Sequence, residues 1–526
     1  MRGYRRLKAS GGLGRVAAVK EALTNTPACQ PAACSLRFLG LENKEAELSV
    51  RQFLLVRRVA TGLGEALLES VGNHDKPVRY ALPMRWREVL RAHGFCVAEK
   101  TSAWLWTGFT ALYLANGIFT VFKLAVVNAA ETVRARTRPL GRYVFFDALG
   151  SGNLPSSGND GDSHDIVNWY LRWSQRAHGI DNVCHSVAGV VVRLAGTTPV
   201  IAVQSALRPL GNFDSLMKFF LWSVVSCVRA FLGILSATWW PALMLGEAAK
   251  AAQVRFQKPE LLACDYLFHN SNWIYRPLWT YEAARKGSRI LFYFYSTNVE
   301  QFKGGGLYPP IPYGWQAMTW PQYLVWNEYQ ASFIRRAVGV SVTIDVVNSI
   351  SFHAGKPAPR DMPTNSIAVF DVQPMRDAIY RPLALIVEYY VPRNANQFLT
   401  DIHETAVSAG FFVILKRKRD VGSRVHPAYV RTTKALLLDE QCAEIDPTTS
   451  AKALIERCQA VVSTPFTSTA LIGRELGKPS IYYDPYGICE KDDRAAHGIP
   501  IVSGRAELLV WLATLEPKSV QTGVEA

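Results

Sequence analysis

The chain has 526 residues, 49% hydrophobic and 19% charged, which is enough to bury a core and too apolar for a disordered chain. Its 37 glycines and 28 prolines are ordinary numbers, and its nine cysteines are scattered, so collagen-like, low-complexity, zinc-ribbon and disulfide-framework readings are excluded. The net charge of +15 is uneven: residues 1–142 hold 22 basic and 10 acidic side chains, against 36 and 33 in the rest.

A basic front attracts nucleic acid or an anionic membrane. No nucleic-acid motif accompanies it and apolar stretches lie beside the charges, so the membrane surface is the expected partner and nucleic acid is not. Residues 104–122 carry no formal charge, and residues 219–239 are interrupted only by Arg229. Both are long enough to span a bilayer. A mid-segment arginine costs about 2.5–3.5 kcal/mol on insertion scales, and the first stretch has cations on both flanks. Three placements stay open: an interfacial, half-inserted pair, spanning helices, or core helices. No secretory signal is evident and the scattered cysteines fit a reducing compartment, so the expected location is cytoplasmic, at the inner face of the cytoplasmic membrane.

In chain order, residues 1–142 are expected to form a basic, apolar N-terminal extension, with short helical patterns over 46–68 and 86–93. Regular alternation then begins. Strands are predicted at 143–149 (YVFFDAL), 199–204, 262–270 (LACDYLFHN), 289–295 (RILFYFY), 322–326 (QYLVW) and 340–347. Helices are predicted over 164–176 and 275–286, and a Gly/Ser/Asn loop fills 150–163. This half, 143–352, carries an apolar insert at 216–246. A Pro-rich linker, 353–365, leads to a second half, 366–515. There, strands are predicted at 366–371 (SIAVFD), 411–416 (FFVILK), 436–438, 460–463 and 479–484 (PSIYYD), with helices over 396–409, 447–458 and 466–476. Two such runs argue an α/β protein of two doubly wound, Rossmann-like lobes facing one cleft, with ligands beyond the carboxyl ends of the strands.

The most informative stretch is VVSTPFTSTALIGRELGKPSIYYDP, residues 461–485. A strand ends at Ser463, and the turn opening the next helix holds five hydroxyls in seven residues: Ser463, Thr464, Thr467, Ser468 and Thr469. Free amides and partial positive charge at a helix start suit an anion, and the hydroxyls add donors for a phosphate. The plain alternative is N-capping, for which one or two hydroxyls suffice.

That turn contains Pro465-Phe466-Thr467-Ser468 within STPFTSTA and is followed by GKPSIYYDP. On these residues the chain, from about 143 to about 484, resembles the polysaccharide biosynthesis proteins named for their Pro-Phe-Thr-Ser motif. The resemblance implies a GT-B-like fold and a glycosyltransferase of surface carbohydrate assembly. The substrate would be a nucleotide sugar, with no further cofactor. More distantly, the second half resembles bacterial sialyltransferases and capsule Kdo transferases, which carry a His-Pro pair and then a Ser/Thr pair at a helix start. Here His426-Pro427 follows the basic run Lys416-Arg417-Lys418-Arg419. Ser463-Thr464 or Ser468-Thr469 matches the second pair.

Sugar transfer releases a phosphate whose charge must be stabilised. Lys416 and Lys418 alternate, so both point to one side of an extended strand. His426 can donate to the same phosphate or protonate it. The alternatives are a solvated basic run and a loop histidine fixed by Pro427. Ile472 stands where GT-B enzymes often carry a ribose-binding Glu, and Glu475, on about the same helix face, can substitute. Gln373, in Asp371-Val372-Gln373-Pro374, is another cleft-facing candidate, with a simple turn as the equal alternative.

An inverting transfer also needs a base from the first half. The sialyltransferases use an acidic pair followed by Gly, and Asn159-Asp160-Gly161 is a partial match, with Asp162, His164 and Asp165 beside it. Glu328, beyond the QYLVW strand, is the rival. An Asx turn and a surface acid are the respective alternatives. No DxD-like signature lies near a strand end, so no metal is expected. The expected function is a glycosyltransferase of bacterial surface polysaccharide biosynthesis, moving a sugar from a nucleotide donor to a glycan or lipid-linked acceptor. Its rivals are a sugar-nucleotide epimerase of the same fold, which needs no apolar segments, and a non-catalytic capsule-assembly protein, which needs no hydroxyl cluster.

Overall fold

Short apolar runs buried on both faces make the strands of parallel sheets. In a computed structural model of the chain, eight strands form the first sheet: β1 (Tyr143–Phe146), β2 (Asn182–His185), β3 (Arg193–Ala195), β4 (Thr198–Ala202), β5 (Asp265–His269), β6 (Arg289–Tyr293), β7 (Gln322–Val325) and β8 (Thr343–Val346). Their order is β8-β7-β6-β5-β1-β2-β4-β3, parallel throughout except for β3, which lies antiparallel to β4 at the edge. Six further strands form a second, all-parallel sheet: β9 (Ser366–Phe370), β10 (Phe412–Lys416), β11 (Cys442–Ile445), β12 (Ala460–Ser463), β13 (Ser480–Asp484) and β14 (Ile501–Ser503), in the order β11-β10-β9-β12-β13-β14. The molecule is therefore an α/β protein with two sheet-centred lobes in a GT-B-like, double-Rossmann arrangement. The structure describes residues 11–31, 34–36, 41–72, 76–134, 140–155, 164–174, 179–189, 192–235, 238–271, 274–297, 299–353, 355–375, 391–417 and 422–515.

The helices before the first sheet are α1 (Gly12–Asn25), α2 (Asn43–Leu54), α3 (Gly64–Gly72), α4 (Met84–Ala92) and α5 (Glu99–Val133). The first lobe adds α6 (Ile166–Trp173), α7 (Phe213–Leu235), α8 (Trp240–Phe256), α9 (Trp279–Arg285) and α10 (Glu328–Ala337). The second holds α11 (Pro392–Ser408), α12 (Pro427–Leu436), α13 (Ala451–Arg457), α14 (Ser468–Glu475) and α15 (Gly504–Ala513).

Val19, Leu23, Leu63 and Trp86 share one apolar core with Phe146, Leu267 and Phe292 of the first sheet. Buried Gln52 stitches the two together: its Nε2 donates to the Ala317 carbonyl at 2.6 Å, and its Oε1 accepts from the Arg276 amide at 3.1 Å. The second sheet has its own core around Ile367, Val369, Val413 and Val462.

Two expected elements differ. Residues 437–438, read as strand, lie in the turn after α12, where Leu438 is exposed; the strand is β11, which pairs with β10 through Cys442 opposite Val413. The helix read from residue 447 begins at Ala451, because Ser450 is its N-cap, accepting from the Ala453 amide at 3.3 Å, while Asp446 closes a turn onto the Thr448 amide at 2.8 Å.

α5 and α7 run antiparallel. The Trp106 and Trp239 rings meet at 4.9 Å at one end, and the Leu210 amide donates to Asn128 Oδ1 at 2.9 Å at the other. Both pack on α8. A Cβ at Gly117 would fall 2.8 Å from Leu245 Cβ, so the α5–α8 approach requires glycine there.

Candidate active site

In an open parallel sheet the ligand crevice lies beyond the carboxyl ends, where neighbouring strands connect in opposite directions. The first lobe has that point between β1 and β5, the second between β9 and β12.

In the second lobe β12 ends at buried Ser463, and the Thr464 amide donates to the Phe370 carbonyl at 2.9 Å, holding the two strand exits together. Phe466 adopts φ +64°, a left-handed conformation that costs a non-glycine residue energy and reverses the chain into α14. The Tyr482 hydroxyl secures this turn on the Thr467 carbonyl at 2.8 Å. The hydroxyls form a chain: Ser463 Oγ to Thr469 Oγ1 at 2.8 Å, Thr469 Oγ1 to Thr467 Oγ1 at 3.3 Å, and Thr467 Oγ1 donating to the Thr464 carbonyl at 2.8 Å. Thr467 is the N-cap of α14 by position, yet makes no side-chain cap hydrogen bond. Simple capping is thus not what the cap hydroxyl does.

The β9 exit loop is gripped from the other side by α12. The His426 amide donates to the Pro374 carbonyl at 2.9 Å, and the Tyr429 hydroxyl donates to Asp371 Oδ2. Burial raises the Asp371 carboxyl to about 6, against the Tyr429 hydrogen bond and the Arg417 charge. His426 caps α12, its Nδ1 accepting from the Ala428 amide at 3.2 Å. In the neutral ring the proton then sits on Nε2, which has no hydrogen-bond partner among the described residues and is available to an anion. Gln373 is buried in the same exit loop.

The remaining predicted residues stand elsewhere. Lys416 ends β10 with its Nζ 3.2 Å from the Pro447 carbonyl, and burial lowers its pKa. Its neighbour Arg417 pairs with Glu444. Glu475 lies at the far end of α14, about 10 Å along the axis from Ser468, and accepts from the Ser349 amide at 3.2 Å. Glu328 opens α10, exposed and paired with Arg335 at 3.3 Å. Asp160 and Lys418 lie outside the described residues.

The first-lobe crevice holds residues that the sequence reading passed over. Asp147 follows β1, its amide donating to the Leu267 carbonyl at 2.9 Å, and burial raises its carboxyl above the usual range. Ala148, next to it, has φ +53°. His269 ends β5 and holds that turn: Nε2–H donates to the Ala148 carbonyl at 3.2 Å while Nδ1 accepts from the Ser271 amide at 3.3 Å. Burial keeps this imidazole below its usual pKa against the Ala148 hydrogen bond, so it is neutral. Tyr293 is buried beside Asp147, and its hydroxyl has no hydrogen-bond partner among the described residues. The signal for Asp147 was its place, the first polar residue after an apolar run that becomes the central strand.

The two carboxyl edges meet. Ser468 Oγ accepts from the Thr297 amide at 3.2 Å, and Phe466 packs on Phe302 at 4.6 Å. Glu300 pairs with Arg494 and, at 2.7 Å, with Arg336, while Tyr308 donates to Asp493 Oδ1 at 3.2 Å. Asn153, after β1, donates to the carbonyl of Phe352, the residue before the linker, at 3.0 Å. Burial lowers His497 to about 4, so a neutral ring stacks on Tyr329 at 5.6 Å across the lobes.

No curated protein matches the chain. Among solved structures it is similar to a UDP-N-acetylglucosamine 2-epimerase from Listeria monocytogenes, described as putative (10% identity, 71% of this chain and 88% of that one, TM-score 0.33). It is also similar to the sucrose-phosphate synthase from Thermosynechococcus elongatus (11%, 71% and 88%, TM-score 0.33) and to the wall teichoic acid polymerase TagF (10%, 75% and 88%, TM-score 0.38). Identities and scores this low carry no reaction or substrate across. The family profile described as Polysaccharide biosynthesis PFTS motif protein matches residues 217–512, more than half of the sequence, and the chain belongs to that family.

Proposed function

We propose that the chain is a GT-B-like, metal-independent glycosyltransferase of surface polysaccharide assembly, working at the inner face of the cytoplasmic membrane. The second lobe holds a nucleotide-activated sugar, and the first presents a hydroxyl of a glycan or lipid-linked acceptor. The observation that carries this reading is the start of α14: it opens at a topological switch point, without a side-chain cap, amid five hydroxyls.

The amides of Ser468 and Thr469 and the hydroxyls of Thr467, Ser468 and Thr469 receive the donor phosphate, with Ser463 and Thr464 shaping the turn. His426 Nε2–H donates to the same phosphate, and Gln373 flanks it. Glu475 takes the donor ribose. Asp147 is the base, favoured over Glu328 by its place at the first-lobe switch point. Its raised pKa brings it nearer to an operating pH around neutrality. It takes the proton of the acceptor hydroxyl, whose oxygen bonds to the anomeric carbon. The bond from that carbon to the phosphate oxygen breaks, and the nucleotide leaves with the electron pair, its new charge met by His426 and the turn.

Thermal denaturation against a panel of nucleoside mono- and diphosphates tests the reading. One nucleotide is expected to raise Tm, with the rise lost in His426→Ala. A CMP-selective rise would place the donor among the sialyl- and Kdo-like sugars. No shift with any nucleotide would overturn the reading.

A further inference from the structure

The apolar surface of this molecule is concentrated in one place. Among the described residues, nineteen of the thirty-one large apolar side chains that are exposed lie on α5 or α7. Trp104 is 78% exposed and Leu221 70%, and Phe119, Phe122, Val224 and Phe231 share the same outward faces. A patch of this kind on two adjacent antiparallel helices marks an interaction site.

The opposite side of the pair is committed to α8, and α8 is committed to the lobe. Glu247 accepts from the Tyr275 hydroxyl at 3.0 Å, Gln253 donates to the Arg208 carbonyl at 2.7 Å, and Arg255 pairs with Glu282 at 2.8 Å. α5 and α7 therefore lie along the lobe and do not project from it. To thread either through a hydrocarbon core of about 30 Å, α8 and its charged contacts would have to enter as well.

Charge points the same way. Lys123 and Arg229 are exposed on α5 and α7, and neither has an acidic partner among the described residues. Arg229 lies near the level of Leu114 and Val121, which share a cluster with its neighbour Ala230. In a spanning helix this arginine would face lipid at depth. In an in-plane helix it snorkels to the head groups. A second copy of this face would bring like charges together, whereas anionic head groups complement them.

We infer that α5 and α7 form an in-plane dock that enters one leaflet of an anionic bilayer and does not cross it. This deepens the membrane placement proposed above and is independent of the sugar site. The test uses the full chain and vesicles of phosphatidylcholine with or without phosphatidylglycerol. Flotation with the anionic vesicles is expected to weaken at least about tenfold in a Phe122→Asp, Leu221→Asp double variant whose circular dichroism is unchanged. Lys123→Gln with Arg229→Gln is expected to remove the preference for phosphatidylglycerol. In inside-out membrane vesicles, an impermeant maleimide is expected to label both native Cys96, before α5, and a Phe213→Cys variant at the start of α7, without detergent. Failure to float with any vesicle, including by forming a dimer through this face, overturns the inference together with the membrane placement. Flotation with one of the two positions protected until detergent is added overturns the in-plane mode alone.

Discussion

The two switch points, at carboxyl edges that meet, are chemically opposite. The second-lobe crevice presents donors: the uncapped amides of α14, the Ser463–Thr469–Thr467 hydroxyl chain and His426 Nε2–H. The first-lobe crevice presents a carboxylate, Asp147, on a turn held by a neutral His269 and lined by Tyr293 and Phe352. One edge suits a phosphate and the other suits a hydroxyl about to lose its proton. In the proposed reaction, the side chains at equivalent strand exits of the two lobes divide the work between them.

The largest expected effect breaks this division from the first lobe. Asp147→Asn should lower kcat by about 10²–10⁴-fold while leaving nucleotide affinity unchanged. A parallel loss of affinity, read by titration calorimetry, would make Asp147 structural.

The next effect lies under the second crevice. The Asp371 carboxyl, near 3.8 in the unfolded chain, is raised to about 6 in the folded protein. The folded state therefore holds the proton more tightly. Stability is highest below about pH 4 with respect to this group and is lost as pH rises through 6. Denaturant titrations should show up to about 3 kcal/mol of this decline by pH 8. Asp371→Asn should flatten it, and an unchanged slope would contradict the assigned burial.

Thr469→Val leaves buried Ser463 Oγ without its partner. It should cost about 1–2 kcal/mol of stability and weaken donor binding, measured by chemical denaturation and titration. The smallest effect sharpens the contrast with the rival acid. Glu328→Gln removes an exposed pair with Arg335 and should change stability by no more than about 0.5 kcal/mol, with turnover unaltered. A large loss of turnover would move the base to α10.

Strands buried on both faces were readable because apolar runs such as YVFF and AVVS need no tertiary information. β2 (NVCH) and β14 (IVS) were not, being short and carrying little apolar signal of their own. α12 was passed over although Pro427 sits at its first turn, where proline is at home. The hydroxyl turn of the second lobe was legible because five Ser and Thr in seven residues exceed what a cap needs. Asp147 was not, since a single acid ending an apolar run reads as part of the strand. Only the strand order, with β1 beside β5, marks its position as a switch point. Lys416 shows the converse: alternation placed it on a strand face, but pairing with β11 brings the loop carbonyl of Pro447 to its ammonium.

The most direct test of the donor site is amide hydrogen exchange on the full chain with and without the nucleotide that raises Tm. Protection is expected over residues 467–471 and 372–375, where α14 opens and β9 exits. No protection there, with protection instead at the amino-terminal edge of the first sheet around Arg142, Cys264 and Ser288, would contradict the account.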